Sequence, residues 1–215
     1  MNRANAETLA FVLPGLVHEL GNVLQTIQGH VLTVENPGDA QRVVLQATAR
    51  GGNNLDLLRC LLGDPASRAA DPVQLLGQIG ELVRVPMRQA QQLLELKRPS
   101  AGIPAGPSGG RAFVDSAAFV ILVVETLHQL VVAVPRGARG TITLELEDAP
   151  AGATVVQVRF TGTAGDLPFP LPLAELQHAL RLRAQQLRAA ASCHVRGQAI
   201  AWEWHAEALS RHHEA

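Results

Sequence analysis

The chain has 215 residues, 47% of them apolar, and 18 basic against 19 acidic residues give a formal charge of −1. That balance, with a pI near 6.7, offers no electrostatic ground for a nucleic-acid or anionic-membrane partner. Two Trp, five Phe and no Tyr leave no stacking platform for bases, and the two cysteines, Cys60 and Cys193, are too few for a disulfide framework or a zinc site.

The longest uninterrupted apolar run, residues 117–124, falls well short of the roughly 20 residues that span a bilayer. An apolar patch at Leu9 to Leu13 follows Glu7 and has no small-residue cleavage site after it, so it reads as mature helix rather than export signal. The expectation is a soluble cytoplasmic protein with Cys60 and Cys193 as small core residues.

Leu9, Leu13, Leu16, Leu20, Leu24, Ile27, Val31 and Val34 recur in steps of three and four. That spacing predicts one stripe of a long amphipathic helix over residues 6–35. Pro14 removes the bond to the Ala10 carbonyl, which predicts a kink or a separate first turn. At 100° per residue His18 points about 200° away from both Leu16 and Leu20, off the stripe. Its helical neighbours Gly21 and Asn22 are small, so another protein surface has access to the imidazole.

Asn36-Pro37-Gly38 is a turn signal, and Asp39 can cap a second helix. Its stripe runs through Ala40, Val44, Ala47, Gly51, Leu55, Leu58 and Leu62, with Gly63 and Pro65 ending it. Gly51-Gly52 inside that helix costs about 1 kcal/mol per residue relative to Ala, with close helix packing or a local kink as the compensation. A hairpin of two such helices cannot cover its own apolar faces. Either two hairpins pair into a four-helix bundle, which is the expectation here, or a second module covers the stripe.

Residues 64–70 form a short linker, so the chain divides into a hairpin domain over 1–65 and a second domain over 71–207. Asp71 caps a helix with Pro72 at its first position, ending near Val85 before Pro86. Residues 93–97 read as a strand and 99–110 as a Pro/Gly/Ser loop. Asp115 opens an apolar helix reaching Val134. Ile142, Leu144 and Leu146 alternate with Thr143, Glu145 and Glu147 in a half-buried strand, and residues 154–160 are its hairpin partner. A helix over 173–190 and strands over 192–196 and 199–205 complete an α+β order, a mixed sheet with helices on one face. Trp202 and Trp204 flank Glu203 and belong to the core or cover the sheet. His30, His128, His178 and His194 read as ordinary surface or partly buried residues, and His205, His212 and His213 as tail composition.

The motif His18-Glu19-Leu20-Gly21-Asn22-Val23-Leu24, continuing to Ile27 and Gly29, resembles the H-box of two-component histidine kinases and histidine phosphotransferases. Gly21 stands where many members have a polar residue, and Val23 where Pro is common. The order of elements after it resembles the ATP-binding domain of histidine kinases. The resemblance implies a phosphoacceptor role for His18 and dimerisation through the hairpin. Glu19 would accept a hydrogen bond or aid proton removal, or is a solvated carboxylate. Asn22 would orient a water, or merely keeps the site open.

In that family the helix matching residues 122–130 carries asparagines for Mg²⁺ and phosphate; Glu125 and Gln129 occupy those positions here. Gly162 stands where an adenine-binding Asp belongs, and Ala164 and Asp166 replace the glycines around it. Phe169-Pro170-Leu171-Pro172-Leu173 takes the place of a second glycine-rich loop, and prolines supply no N–H for phosphate.

The combination is similar to ChpT-type histidine phosphotransferases: a histidine-kinase-like hairpin on a degenerate ATP-binding-like α/β sandwich. It implies phosphoryl exchange with response-regulator receiver domains, no ATP, and Mg²⁺ only on the receiver. A pseudokinase scaffold and a divergent autokinase are the alternatives.

Overall fold

A computed structural model of the protein describes residues 3–32, 37–62, 69–97, 114–135, 138–148, 153–164, 167–168 and 171–204. Helices α1 (Arg3–Leu32) and α2 (Pro37–Leu62) form the predicted hairpin. Gly51 explains their close approach: a Cβ there would lie 3.3 Å from Val23 Cγ1, so the helices meet through a glycine on one side and a β-branched side chain on the other. Gly52 faces open space. Pro14 lies inside one continuous α1 and does not set off a separate first turn.

The buried stripe of α1 differs from the expected one. Thr8, Val12, Gly15, Leu16 and Val23 are buried, Leu9, Leu20 and Ile27 are half-buried, and Leu13 and Leu24 are 48% and 66% exposed. On a helical projection the buried sector is rotated by about 80° from the leucine stripe. On α2 the buried residues are Ala47, Gly51, Asn54, Leu57 and Leu61, whereas Leu55 and Leu62 are about half exposed. The cause is the second module, whose helices α3 (Pro72–Gln89) and α4 (Ser116–Ala133) pack against the hairpin and compete with it for the apolar faces.

The closest point is Gly15 of α1 on α3. A Cβ at Gly15 would run into the Leu82 carbonyl, with Pro86 Cδ beyond it at 3.5 Å. Pro86 has no N–H to donate back to Leu82, four residues earlier, so that carbonyl lacks its usual helical partner. Gly15 lays its Cα over the freed oxygen, an arrangement in which a weak Cα–H···O contact substitutes for the missing bond. Pro86 therefore sits within α3 and does not end it, contrary to the sequence-based expectation; the helix continues to Gln89.

The sandwich holds a sheet in the order β2-β4-β5-β8-β7, with β6 (Leu167–Pro168) added on β5. β2 (Gln92–Lys97) runs parallel to β4 (Arg139–Asp148); the pairs among β4, β5 (Thr154–Ala164), β8 (Ala199–Trp204) and β7 (Ala191–Arg196) are antiparallel. Register places Ile142 opposite Phe160, Leu144 opposite Val158, and Val156 opposite Trp202, which also faces Cys193. These residues share the face covered by α3, α4 and α5 (Leu173–Gln186). Both tryptophans are core residues, and Trp202 Nε1 donates to Thr126 Oγ1 at 3.0 Å.

Helix α4 carries the most apolar sequence of the chain and by length and composition alone would cross a membrane. Here its residues from Ala118 to Leu127 are all buried between sheet and hairpin, which accounts for that composition. Asp71 and Asp115 cap α3 and α4 as predicted, accepting from Val73 N and Ala118 N at 2.8 Å each. Two short strands, β1 (Ala69–Ala70) and β3 (Val114–Asp115), pair antiparallel beside these caps and carry no sequence signal of their own. Helix α5 ends at Gln186, before the expected 190, with Arg188 at positive φ beyond it. The loop read at 99–110 and the tail histidines lie outside the described residues.

Gly15→Ala is expected to lose about 2 kcal/mol of stability, because overpacking against a backbone carbonyl outweighs the gain in helix propensity. Gly21→Ala, with nothing within 4 Å of its Cβ, is expected to gain up to about 1 kcal/mol. Urea denaturation of both variants checks the pair; a Gly15→Ala protein as stable as the parent would contradict the crossing of α1 and α3 at this glycine.

Candidate functional site

His18 lies three residues beyond Gly15, about one helical turn past the crossing of α1 and α3 and roughly 60° around the helix from it. Its side chain is exposed, on the side of the hairpin to which the sandwich attaches but clear of it. Asn22, at i+4, is exposed on the same sector, and Gly21 leaves open space beside both. Thr26 Oγ1 donates to the Asn22 backbone carbonyl at 2.8 Å, an i−4 back-bond within α1. Glu19 is half-buried and lies about 100° around the helix from His18, toward the packed side. Of the three residues singled out in the sequence, the fold brings His18 and Asn22 onto one accessible face and turns Glu19 away.

The sandwich meets the N-terminal turns of the same helix sector. Phe11 stacks on His128 of α4 with ring centroids 5.0 Å apart and planes at 26°. Burial holds the His128 imidazole below its ordinary pKa, against the opposing influence of Glu7. His128 is thus a packing residue between hairpin and sandwich.

Glu125 and Gln129 take up the positions where the sequence resemblance expects nucleotide ligands, and the structure closes that region with protein. Arg183 of α5 donates from Nε to Glu125 Oε2 at 2.9 Å, and both side chains are only 7% exposed. Gln129 Nε2 donates to the other carboxylate oxygen at 3.3 Å. Burial raises the Glu125 pKa, and this outweighs the lowering by the Arg183 charge and by the two hydrogen bonds. The ion pair ties α4 to α5.

Gly162 lies within β5, opposite Gly140 of β4. A Cβ at either position would come within 2.5 Å of the Phe160 ring. Both glycines are explained by packing beneath that ring and across the ladder. β5 does not end at 160 as expected but continues through Ala164, whose partner is Leu167 of β6. Asp166 and Phe169 lie outside the described residues.

Arg183 escapes a reading by motif, although its position carries a legible signal. Leu176, Leu180, Ala184 and Leu187 mark the inner face of α5, and Arg183 lies beside Leu180 and Ala184 on it. A charge on an apolar stripe needs a buried partner, and Glu125 in the apolar helix α4 needs one too. The Phe11–His128 stack has no such signal. Burial pushes the Cys193 thiol up to about 12, so it is inert, as the sequence suggests. Among the described residues no group of three or more His, Cys, Asp or Glu is placed to hold a metal ion.

No family model and no curated protein sequence matches the chain. Similar solved structures include a bacterial phosphotransferase, at 14% identity over 94% of this chain and 97% of that one, with a TM-score of 0.36. The cytoplasmic segment of histidine kinase QseC is 15% identical over 80% of this chain and 98% of that one, with a TM-score of 0.43. The Acinetobacter baumannii histidine kinase AdeS is 13% identical over 86% and 95%, with a TM-score of 0.39. At these identities and scores the likeness carries no conclusion on chemistry or partners, which rest on the residues of this chain.

Arg183→Met is expected to lose about 3–5 kcal/mol, since it strands a buried carboxylate. The double variant Glu125→Leu/Arg183→Met is expected to lie within about 1 kcal/mol of the parent, because desolvation of Glu125 already exceeds what its partner returns. Calorimetric melts of the three proteins test this, and a double variant as unstable as the single one would refute it.

Proposed function

We propose that the chain is a histidine phosphotransferase of a two-component phosphorelay, acting in the cytoplasm and exchanging a phosphoryl group with receiver-domain aspartates without ATP. The observation that carries this reading is the accessible His18–Asn22 sector on an otherwise packed helix. Imidazole is nucleophilic through its unprotonated nitrogen at neutral pH. In the step proposed, that lone pair attacks phosphorus of the receiver's aspartyl phosphate, an N–P bond forms and the carboxylate leaves with its electron pair. The phosphorylated ring then releases its remaining N–H proton to water, and the reverse steps return the group to a second aspartate. A loose phosphoryl transition state asks mainly for in-line positioning and charge compensation. The receiver, with its own Mg²⁺, would supply the compensation, leaving His18 and a docking face to this chain.

Asn22, one turn along the same face, is the residue best placed to contact whatever approaches His18. Glu19 faces away, which supports a lesser part for it in transfer. The buried Glu125–Arg183 pair supports the nucleotide-free reading over a divergent autokinase, because the Glu125 carboxylate is already engaged by protein and is not free to hold a metal-bound phosphate.

Dimerisation belongs to the same proposal. Leu13, Val17 and Leu24 line one exposed flank of α1, and Leu55 and Leu62 are exposed on α2. The flank lies about 160–200° around the helix from Gly15, where α1 crosses α3, so a second hairpin has access to it. Burying such a surface yields roughly 25 cal/mol per Å². Light scattering is expected to give a dimer mass, and Leu13→Glu/Leu24→Glu a monomer with unchanged helicity. A monomeric parent protein would remove the dimer from the proposal.

Incubation with a ³²P-labelled receiver domain, with no nucleotide present, is expected to move label onto this chain. The label should be acid-labile and base-stable, as a phosphoramidate is. His18→Ala should abolish it, Asn22→Ala should slow it several-fold, and Glu19→Ala should change it little. Label that persists in His18→Ala, or no transfer from any cognate receiver, would overturn the reading.

A further inference from the structure

A second surface lies along the β2 edge of the sheet, beside α3. β2 is an end strand of the sheet, and among the described residues it pairs only with β4. Its free side therefore presents unpaired backbone N–H and C=O groups. The edge carries two exposed charges, Glu95 and Lys97, but also exposed apolar surface: Leu93 is 59% exposed and Leu96 40% exposed. Between β2 and α3 runs an open groove of about 260 Å³, with Met87 and Leu94 among its lining residues. Gly80 lets the groove form, since a Cβ there would meet Leu96 Cδ1 at 2.6 Å.

The groove has a sign. Arg84 and Arg88 line it and no carboxylate does. Arg84 is paired with Glu81 at 2.7 Å on the exposed face of α3, which leaves Arg88 as the principal cation toward the groove. Gln92, also in its lining, is 5% exposed; its Nε2 donates to the Ala90 and Ala138 carbonyls at 3.1 and 2.9 Å. Its Oε1 is buried with no hydrogen-bond partner among the described residues.

We infer that the β2 edge is a docking site for an extended acidic and apolar segment of a partner protein, which adds to the sheet as a further strand. Main-chain pairing with β2 supplies the register, and the period of two divides the segment's side chains between two environments. One set points into the groove beside Met87, Arg84 and Arg88; the other lies along the outer sheet face, past Leu93 at the groove's rim and then Glu95 and Lys97. The excess of arginine over carboxylate in the groove selects acidic residues for the first set, and exposed Leu93 selects apolar ones for the second.

The test is fluorescence polarisation of the full chain with a labelled peptide of alternating Glu and Val, against a Lys–Val peptide of equal length. Saturable binding of the Glu–Val peptide is expected, at least about tenfold tighter than the Lys–Val control. N-methylation of alternate residues along one backbone edge should abolish binding, while the same change on the other edge should leave it. Arg88→Glu should weaken it about tenfold with an unchanged melting temperature, because the side chain is exposed. Absence of saturable binding, or equal tolerance of N-methylation on both edges, would overturn the inference. So would a change in self-association in Arg88→Glu, which would assign the edge to a second copy of this chain. None of these readouts depends on phosphotransfer by His18.

Discussion

The passage of α1 across α3 at Gly15 fixes how the two modules of this molecule sit together. Two sequence features at different points of the chain make it possible: Pro86 leaves the Leu82 carbonyl without a helical donor, and Gly15 has no side chain to hold the helices apart. A larger residue at 15 would lift the hairpin off the sandwich and release Phe11 from His128. With the crossing in place, the rotation of α1 about its axis is set. Val12, Leu16 and Val23 turn inward, Leu13 and Leu24 turn outward on one flank, and His18 emerges on another just past the contact.

That crossing also explains why some of the fold is legible in the sequence and some is not. The helices, the strand alternation of β4, the caps Asp71 and Asp115 and the place of His18 follow from local periodicity and local chemistry. Those signals act over a few residues and survive any arrangement of the modules. The phase of the buried stripe does not. Leu9 to Val34 make one amphipathic pattern, but α1 packs on α2, α3 and α4, and the surface it buries is rotated from the hydrophobic maximum by about 80°. Prolines mislead for a related reason. Pro14 and Pro86 each remove one bond, yet both helices continue through them: the Leu82 carbonyl freed by Pro86 is covered by Gly15, and the Ala10 residue facing Pro14 is exposed to water. The strand β5 outruns its expected end because Gly162 and Gly140 pack under Phe160, a pairing visible only once β4 and β5 are in register.

The candidate site divides the same way. His18 is identifiable because exposure on a helix is a matter of phase relative to near neighbours, and a sector about 110° from the buried centre stays accessible even when that centre moves. Glu125 and Gln129 are identifiable as departures from the pattern of the family the sequence resembles, but the partner of Glu125 is not. Glu125 and Arg183 are 58 residues apart, and only the packing of α5 on α4 brings them to 2.9 Å. Each charge taken alone looks like a defect of an apolar helix; together they neutralise one another and join two helices.

This ion pair gives the helix layer of the sandwich a physical part to play. Helices α4 and α5 pack against one another in that layer. Here those helices are linked by a charged hydrogen bond with both partners desolvated, and breaking it would strand two charges out of water. The helix layer is therefore held as one rigid surface, with Phe119, Trp202 and Trp204 packed beneath it. Rigidity of that layer passes directly to α1 through Gly15 and through the Phe11–His128 stack. Under the proposed function, a partner approaching His18 would meet an imidazole whose position is set by two modules and not by a free helix. Preorganisation of that kind lowers the entropic cost of an in-line transfer.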